Sequence, residues 1–321
     1  MSDPVDLFLE NVGWADASRT PMTADASTRV YSRITIAGRA KTAILMQAPP
    51  KDQASFAAFL TVAEYLRAHG VSAPIVLGAN LDLGLMLLED FGDALIALLS
   101  QGSEKDEAEL YLRATDVLIH LSEQLPMVGL PTLDLVTLTD MTRISFAGLD
   151  GSAEVDFTNA LGDLLGRYNT RAPVTVLRDY HAENLLLLPQ RPGILGIGVL
   201  DFQDAVLGPV GYDLVSLLED VRRDVPRQLK TELYAHYAAS IEEDPQAFAT
   251  LCAVLCVQRN TRILGVFRRL AVEHGKRRYL GFLPRVRSHL EHALNHPELG
   301  SLQAPMTTLL HHCGQFEAFY E

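Results

Sequence analysis

Two short segments carry the residues whose types and spacing are best suited to chemistry. Asp179 and Asn184 lie five residues apart, and Asp201 follows 17 residues after Asn184. A carboxylate can orient an attacking hydroxyl and accept its proton, whereas carboxylate and amide oxygens are the hard ligands that Mg²⁺ prefers. The pattern predicts phosphoryl transfer, with Asp179 as the catalytic carboxylate and Asn184 and Asp201 as metal ligands.

Asp179 and Asn184 are also common turn formers, so their context has to decide between the two interpretations. Apolar runs at 175–177, 185–188 and 194–200 predict short strands separated by loops within a mostly helical region. Asp201 directly follows the last run, which favours a functional loop over a simple turn. His181 is better suited to a buried, loop-shaping role than to catalysis.

The upstream elements predict a small α+β lobe. Asp3 and Pro4 are suited to cap a first helix, and the rest of the lobe reads as hairpin, helix, hairpin: 30–36 with 43–46, 54–69, and 74–79 with 85–89. After Gly92 the pattern becomes helical, at 93–100, 104–125, 161–168 and in several segments from Asp213 onward. Asp213 precedes an apolar run and is well placed as a helix N-cap. We therefore predict two lobes, 1–92 and 93–321.

The chain resembles the aminoglycoside phosphotransferase family of kinase-fold small-molecule kinases. The resemblance is carried by Asp-x-His-x-x-Asn at 179–184, by Asp201 after a strand, and by Gly-Pro-x-x-Tyr-Asp-Leu at 208–214. It also covers Asp-Ala-Ser-Thr-Arg at 25–29 and Leu-Glu-Asp-Phe-Gly at 88–92, and so spans roughly residues 20–225. Its wording is most similar to bacterial kinases of the anomeric hydroxyl of N-acetylmuramate and N-acetylglucosamine.

The resemblance implies an α+β, two-lobed protein-kinase-like fold with a small β-rich N-terminal lobe and a larger α-helical C-terminal lobe. It also implies ATP bound between the lobes, Mg²⁺, and a sugar acceptor in the helical lobe. Asp213 would then steady the catalytic loop. Nucleotide-binding roles fall on Ser27 and Thr28 in a phosphate-covering loop, and on Glu89 in the hinge segment.

The sequence departs from the family pattern at Leu177, where the family usually has a histidine, and more seriously in the second strand. The second strand, 43–46, has no lysine to grip the α- and β-phosphates, and Met46 occupies that position. Arg29, Lys41 and Lys51 are candidate replacements. Arg29 is favoured because a guanidinium holds two phosphate oxygens at once.

Charge and composition exclude several function classes. The 321 residues include 40 acidic and 27 basic ones, giving a net charge of −13, which argues against general nucleic-acid or membrane-surface binding. No apolar run approaches the roughly 20 residues that cross a bilayer. The three cysteines (Cys252, Cys256 and Cys313) lack a zinc-site spacing and indicate reduced thiols in a cytoplasmic protein.

A basic segment from 259 to 287 contrasts with this acidic composition. Most of its nine cations are interpreted as a solvated face, but Arg259 and Arg262 lie three apart and can point together toward an anionic acceptor. The sequence and its resemblance thus predict an ATP-dependent kinase that phosphorylates a hydroxyl of a small molecule. The acceptor that they favour is the anomeric hydroxyl of an N-acetylated amino sugar. An aminoglycoside or other small-molecule kinase and a nucleotide-binding pseudokinase are the alternatives, and the oligomeric state is not predicted.

Overall fold

The structure, a computed structural model, describes residues 3–22, 29–38, 40–49, 52–149 and 151–320, with the backbone alone for 315–320. The chain divides into two compact units: Met1–Val117 with Ala182–Ala205, and Leu118–His181 with Val206–Glu321. This division differs from the predicted lobes 1–92 and 93–321, which stay a prediction of domain organisation. The difference arises because backbone bridges join Ser72 to Gly198 and Leu95 to Leu186 within the first unit.

The first unit is built on a five-stranded antiparallel sheet. Its strand order is β1-β2-β3-β5-β4, because β5 lies between β3 and β4. The strands are β1 (Ser18–Met22), β2 (Val30–Thr35), β3 (Ala43–Gln47), β4 (Val76–Asn80) and β5 (Leu85–Glu89). The helices of this part are α1 (Pro4–Asn11), α2 (Gln53–Ala68) and α3 (Ile96–Leu99), and α4 (Glu104–Ser122) contains the boundary to the second unit.

The predicted hairpin, helix, hairpin order is confirmed, and so is the cap of the first helix. The Asp3 side chain accepts a hydrogen bond from the Val5 amide at 3.1 Å, with Pro4 in the first helical position. The sequence did not reveal β1, because Ser-Arg-Thr-Pro-Met is polar and contains a proline. Proline is tolerated on an edge strand, where its missing N–H costs no ladder bond.

The two faces of the sheet have different neighbours. Phe8 and Leu9 of α1 join a buried cluster with Ile34, Ala43 and Leu45 on one face. Because side chains alternate along a strand, Met46 and its cross-strand partner Tyr31 lie on the opposite face. The predicted phosphate-binding position is therefore on the face away from α1.

A small hairpin completes the first unit. It consists of β7 (Leu185–Leu187) and β8 (Ile197–Val199), with 3₁₀ turns at Ala182–Asn184 and Gly193–Gly196. The Val199 amide donates to the Ser72 carbonyl at 2.8 Å, and the Ser72 hydroxyl donates to the Leu195 carbonyl at 2.8 Å. These bonds attach the segment that carries two predicted metal ligands to the loop after α2.

The second unit is mainly helical. Its two short strands, β6 (Val174–Val176) and β9 (Val206–Gly208), pair antiparallel. Its helices are α5 (Leu135–Asp140), α6 (Gly151–Tyr168), α7 (Tyr212–Leu218), α8 (Arg227–Ser240), α9 (Pro245–Val272), α10 (Leu283–Leu294) and α11 (Gly300–Tyr320). Within the described ranges, no helix combines the length and apolar character needed to cross a bilayer.

The helix predictions were right about existence and less accurate about extent. The helix predicted at 104–125 is α4, whereas 161–168 is only the second half of α6 and 93–100 shortens to α3. All three cysteines are buried and none of them forms a disulfide. The central helix α9 is 28 residues long and buried around much of its circumference, so it forms the core against which other helices pack.

One close approach in this core is testable. A Cβ added at Gly265 of α9 would lie 2.5 Å from the Ser145 Oγ and 2.7 Å from the Ser145 N. We expect Gly265→Ala to lower the free energy of unfolding by about 1–3 kcal/mol through overpacking. Chemical denaturation measures the change. Gly300→Ala is the control, because nothing lies within 4 Å of its added Cβ; equal destabilisation by both variants would contradict the packing argument.

Candidate active site

The predicted catalytic carboxylate follows a strained turn in the second unit. The Asp179 amide donates to the Leu177 carbonyl at 2.9 Å across Arg178, whose φ is 71°. An i to i+2 bond around a positive φ is the geometry of a γ-turn, which is rare for a residue with a side chain. Such strain persists only where neighbouring groups hold the backbone, and it leaves Asp179 half-buried at the end of the turn.

Asp213 is one of the groups that hold this turn. Its carboxylate accepts hydrogen bonds from the Leu177 amide at 2.6 Å and from the Arg178 amide at 2.9 Å. Burial raises the pKa of Asp213 from its ordinary value of 3.8 to about 7, while those two amides act in the opposite direction. The prediction that Asp213 steadies the loop is confirmed.

The alternative prediction for Asp213 was wrong. It is not the N-cap of α7, because that position belongs to Gly211, with a φ of 89°, and Asp213 is the second helical residue. A left-handed cap favours glycine and shifts the helix start by two residues. Asp213 is thereby turned inward and buried, where its carboxylate reaches the loop rather than the helix end.

A second group holds the turn through its carbonyl. Ser216, three residues after Asp213 on α7, donates to the Arg178 carbonyl at 3.2 Å. The Arg259 guanidinium of α9 in turn donates to the Ser216 hydroxyl at 2.7 Å. Sequence reasoning did not identify Ser216, although its spacing from Asp213 places the two on one helix face. Arg259 is only 6% exposed, which favours a supporting role.

Arg262 differs from Arg259 in its surroundings. It is half-buried, and burial lowers the pKa of its guanidinium, while the charges of Tyr212 and Asp179 act to raise it. The helix thus presents a cation that interacts electrostatically with Asp179. His181 is buried as predicted, and burial, assisted by the charge of Arg222, lowers its pKa to about 3. It is therefore neutral near pH 7.

The two predicted metal ligands meet at one end of the β7–β8 hairpin in the first unit. Leu185 pairs with Val199, and the Leu200 amide donates to the Asn184 carbonyl at 2.9 Å, so Asn184 and Asp201 are neighbours beyond the last ladder pair. Asp201 is exposed, has a φ of 57°, and accepts a hydrogen bond from the Gln203 amide group at 2.7 Å. One amide and one carboxylate side chain make a donor set that suits Mg²⁺.

Arg29 and Asp201 both act on the side chain of Tyr31 in the first unit. The Arg29 guanidinium hydrogen-bonds to the Ser55 hydroxyl of α2 and to the Tyr31 side chain. Burial raises the pKa of Tyr31, Arg29 lowers it, and the charge of Asp201 raises it further. Arg29, Tyr31 and Asp201 thus form one electrostatic cluster, and sequence reasoning had identified all but Tyr31. Ser27 and Thr28, predicted to cover phosphates, lie outside the described residues.

Met46 and Glu89 are held differently. Met46 is 1% exposed and sits in β3 between Tyr31 and Met86. The Glu89 amide donates to the Ile75 carbonyl at 2.8 Å, and its carboxylate pairs with Arg191, which lies over the Phe91 ring. The side chain of Glu89 is therefore engaged within the first unit, and a hinge role would fall to its main chain.

Comparison with known proteins places these features in a family. The sequence profile of the phosphotransferase enzyme family matches residues 18–251, which include every motif described above except Arg259 and Arg262. The chain belongs to the phosphotransferase enzyme family. Membership confirms the predicted kinase-type phosphotransferase and implies a nucleotide substrate.

Two relatives match this phosphotransferase over most of its length. An N-acetylmuramate/N-acetylglucosamine kinase of Caulobacter vibrioides is 34% identical, with 92% of this chain and 93% of the relative covered. A protein of the same name from Pseudomonas aeruginosa is 32% identical, with 95% and 93% covered.

A solved structure supports the fold. The GDP complex of wild-type aminoglycoside 2'-phosphotransferase-IIIa superposes with a TM-score of 0.65 at 14% identity, covering 90% of this chain and 97% of that one. The predicted α+β, kinase-like fold class is confirmed. At this identity the likeness concerns the fold alone.

The buried carboxyl of Asp213 gives this phosphotransferase a testable pH dependence. Its folded-state pKa is raised, so between pH 4 and 7 the folded state binds more protons than the unfolded state, and its contribution to stability falls as pH rises. Asp213→Asn lacks that titration and also loses one acceptor oxygen. We expect the variant to be less stable than the wild type, with a deficit on the order of 2 kcal/mol smaller at pH 8 than at pH 5. Urea unfolding at both pH values measures this, and a pH-independent deficit would argue against a raised pKa.

Proposed function

We propose that this phosphotransferase transfers the γ-phosphoryl group of ATP to the anomeric hydroxyl of N-acetylmuramate or N-acetylglucosamine. The observation that carries the proposal is the likeness to kinases of that name over more than nine-tenths of the chain. The residues suited to phosphoryl transfer support it, since Asp179, Asn184 and Asp201 are all present. A pseudokinase would have no need of all three.

Asp179 is proposed to align the acceptor hydroxyl and to accept its proton. The γ-turn at Arg178 and its bonds to Asp213 fix the backbone just before this carboxylate, which lowers the cost of orienting it in the transition state. An anomeric hydroxyl is more acidic than an ordinary alcohol. A carboxylate can therefore collect the proton late, as a loose phosphoryl-transfer transition state requires.

Asn184 and Asp201 are proposed to hold Mg²⁺ with the phosphates of ATP. Asp201 is exposed and has a left-handed backbone just beyond the end of β8. When bound, the metal ion supplies positive charge that neutralises the phosphate oxygens. The remaining work of these residues is to keep two oxygen donors side by side at the end of the hairpin.

Arg29 is proposed to replace the absent strand lysine. Its interactions with Tyr31 and Ser55 hold the guanidinium beside Tyr31, whose side chain also interacts electrostatically with Asp201. Ser27 and Thr28 are proposed to bring main-chain N–H groups to the phosphates, and Met46 and the main chain of Glu89 to contact the nucleotide. These assignments rest on the resemblance and on the Arg29 cluster.

Arg262 is proposed to interact with the acceptor. Its cation lies in the electrostatic range of Asp179, and a carboxylate on the sugar would gain a charge-assisted contact there. The same cation disfavours a positively charged aminoglycoside. Arg259 was predicted as the second acceptor-binding arginine, and that role stays a prediction. Its buried guanidinium is bonded to Ser216, which favours a supporting role instead.

The catalytic assignment is tested by Asp179→Asn. The variant keeps the shape of the side chain but loses the proton acceptor, so we expect kcat to fall about 10²- to 10⁴-fold with unchanged nucleotide affinity. Steady-state kinetics and calorimetry measure the two quantities. Glu183→Gln, an exposed change in the adjoining segment, is the control and should stay within about twofold of wild type. A near-normal kcat for Asp179→Asn would remove the assignment.

The nucleotide assignment is tested by Arg29→Ala. Loss of a charge-assisted contact to phosphate should raise KM for ATP about 10- to 100-fold, and Arg29→Lys should recover only part of it because the bidentate fork is lost. Lys41→Ala is the matched comparison, since Lys41 is the other described candidate cation. If Lys41→Ala raises KM for ATP and Arg29→Ala does not, the assignment is wrong.

The acceptor assignment is tested by competition. With N-acetylmuramate and N-acetylglucosamine offered together, phosphorus NMR should show phosphate on the anomeric oxygen. Arg262→Ala should lower kcat/KM for the anionic sugar about 10- to 100-fold more than for the neutral one. Phosphate on the 6-hydroxyl, or on an aminoglycoside and neither sugar, would overturn the acceptor while leaving the kinase intact.

A further inference from the structure

Two buried residues outside the predicted catalytic set converge on the backbone before Asp179. Ser216 is 0% exposed and Arg259 is 6% exposed. The Arg259 Nη2 donates to the Ser216 Oγ at 2.7 Å, and the Ser216 Oγ donates to the Arg178 carbonyl at 3.2 Å. A continuous hydrogen-bonded chain therefore runs from α9 through α7 to the turn.

This series of hydrogen bonds ends on the Arg178 carbonyl, which belongs to the strained turn. The two amides before Asp179 are bonded to Asp213, whereas the Arg178 carbonyl is bonded to Ser216. Arg178 is therefore held at its own amide and at its own carbonyl, which restrains the φ and ψ angles between them. Because Arg178 has a φ of 71°, relaxation of either hold would let the backbone leave the γ-turn and carry the Asp179 side chain with it.

Arg259 contributes through charge as well. Its guanidinium lowers the pKa of Asp213, against the larger effect of burial, and so favours the carboxylate form that accepts both amide bonds. The same guanidinium polarises the Ser216 hydroxyl, which strengthens the bond that this hydroxyl donates. One buried cation thereby supports both holds on the turn.

We infer that Ser216 and Arg259 are positioning residues for Asp179, with Arg259 acting through Ser216 on the Arg178 carbonyl. The inference rests on the proposed function only in that Asp179 is the group being positioned. It assigns Arg259 to the loop rather than to the acceptor. It also predicts that loss of either residue affects turnover rather than substrate binding.

The test compares Ser216→Ala and Arg259→Met, which remove one hydroxyl and one buried charge with little change in volume. We expect kcat to fall about 10-fold in each, with KM for ATP and for the sugar within about twofold of wild type. Because the two residues act in series, the double variant should be no more impaired than the worse single one. Ser216→Thr, which keeps the hydroxyl, should recover part of the rate.

A control variant at the neighbouring Gln258 distinguishes a positioning role from a purely structural one. Gln258, also 0% exposed on α9, donates to the Leu138 carbonyl at 2.9 Å and has no bond to the turn. Gln258→Ala should lower stability while leaving the kcat of the folded enzyme unchanged. If kcat falls in all three variants in proportion to lost stability, the positioning role is overturned.

A second measurement is independent of the substrate. Amide hydrogen exchange in the segment 174–181 should become faster in Ser216→Ala and Arg259→Met but not in Gln258→Ala. Unchanged exchange in the first two would overturn the inference. An inactive wild type with both sugars would instead refute the proposed function, and exchange would still decide the positioning role. A higher KM for the anionic sugar in Arg259→Met, with normal kcat and exchange, would return Arg259 to the acceptor.

Discussion

The buried carboxylate of Asp213 is the interaction on which the candidate active site depends. Its two bonds to the Leu177 and Arg178 amides hold a γ-turn that would otherwise relax, since a positive φ at a residue with a side chain costs about 1–3 kcal/mol. The burial of this carboxylate is itself costly, as its raised pKa indicates. The second unit therefore maintains two unfavourable features together, because each one stabilises the other.

In the first unit, a hairpin positions the predicted metal ligands. Asn184 and Asp201 are 17 residues apart in sequence, and the β7–β8 ladder brings their main chains to the same end of the hairpin. The hairpin is itself attached by main-chain and hydroxyl bonds to Ser72 after α2. Asp201, the predicted metal ligand that follows β8, has a left-handed backbone. In both units, a residue with a positive φ lies at, or directly before, a carboxylate that was predicted to do chemistry.

The two arginines Arg259 and Arg262 of α9 differ in burial and in their interaction partners, and this difference bears on their roles. Arg259 and Arg262 are three residues apart and looked equivalent in the sequence, yet one is bonded to Ser216 and the other interacts with Asp179. A buried guanidinium with a fixed partner supports structure, whereas a half-buried one is available to a ligand. The proposed anionic acceptor would need a local cation of the second kind in this acidic protein.

The sequence by itself determined the elements and the chemistry. Short runs rich in apolar and β-branched residues predicted β2, β3, β4 and β5, and the Asp3-Pro4 cap predicted the start of α1. The spacing of Asp179, Asn184 and Asp201 predicted phosphoryl transfer before any fold was known. These features are local, or are separated by spacings that a short loop or hairpin preserves. The polar strand β1 and the short β9 were missed because their pairing partners, rather than their own residue types, make them strands.

Only the tertiary structure decided what holds the site. From the sequence, Asp213 was equally compatible with a helix N-cap. In the structure Gly211 is the N-cap, and the Asp213 carboxylate binds the loop before Asp179. Ser216 and Arg259 meet through a contact between two helices whose sequences are 43 residues apart at that point. The burial that directs Arg259 inward depends on everything packed around α9. Long-range contacts of this kind leave no periodic signal in the chain, because each partner is chosen by packing and not by its neighbours in sequence.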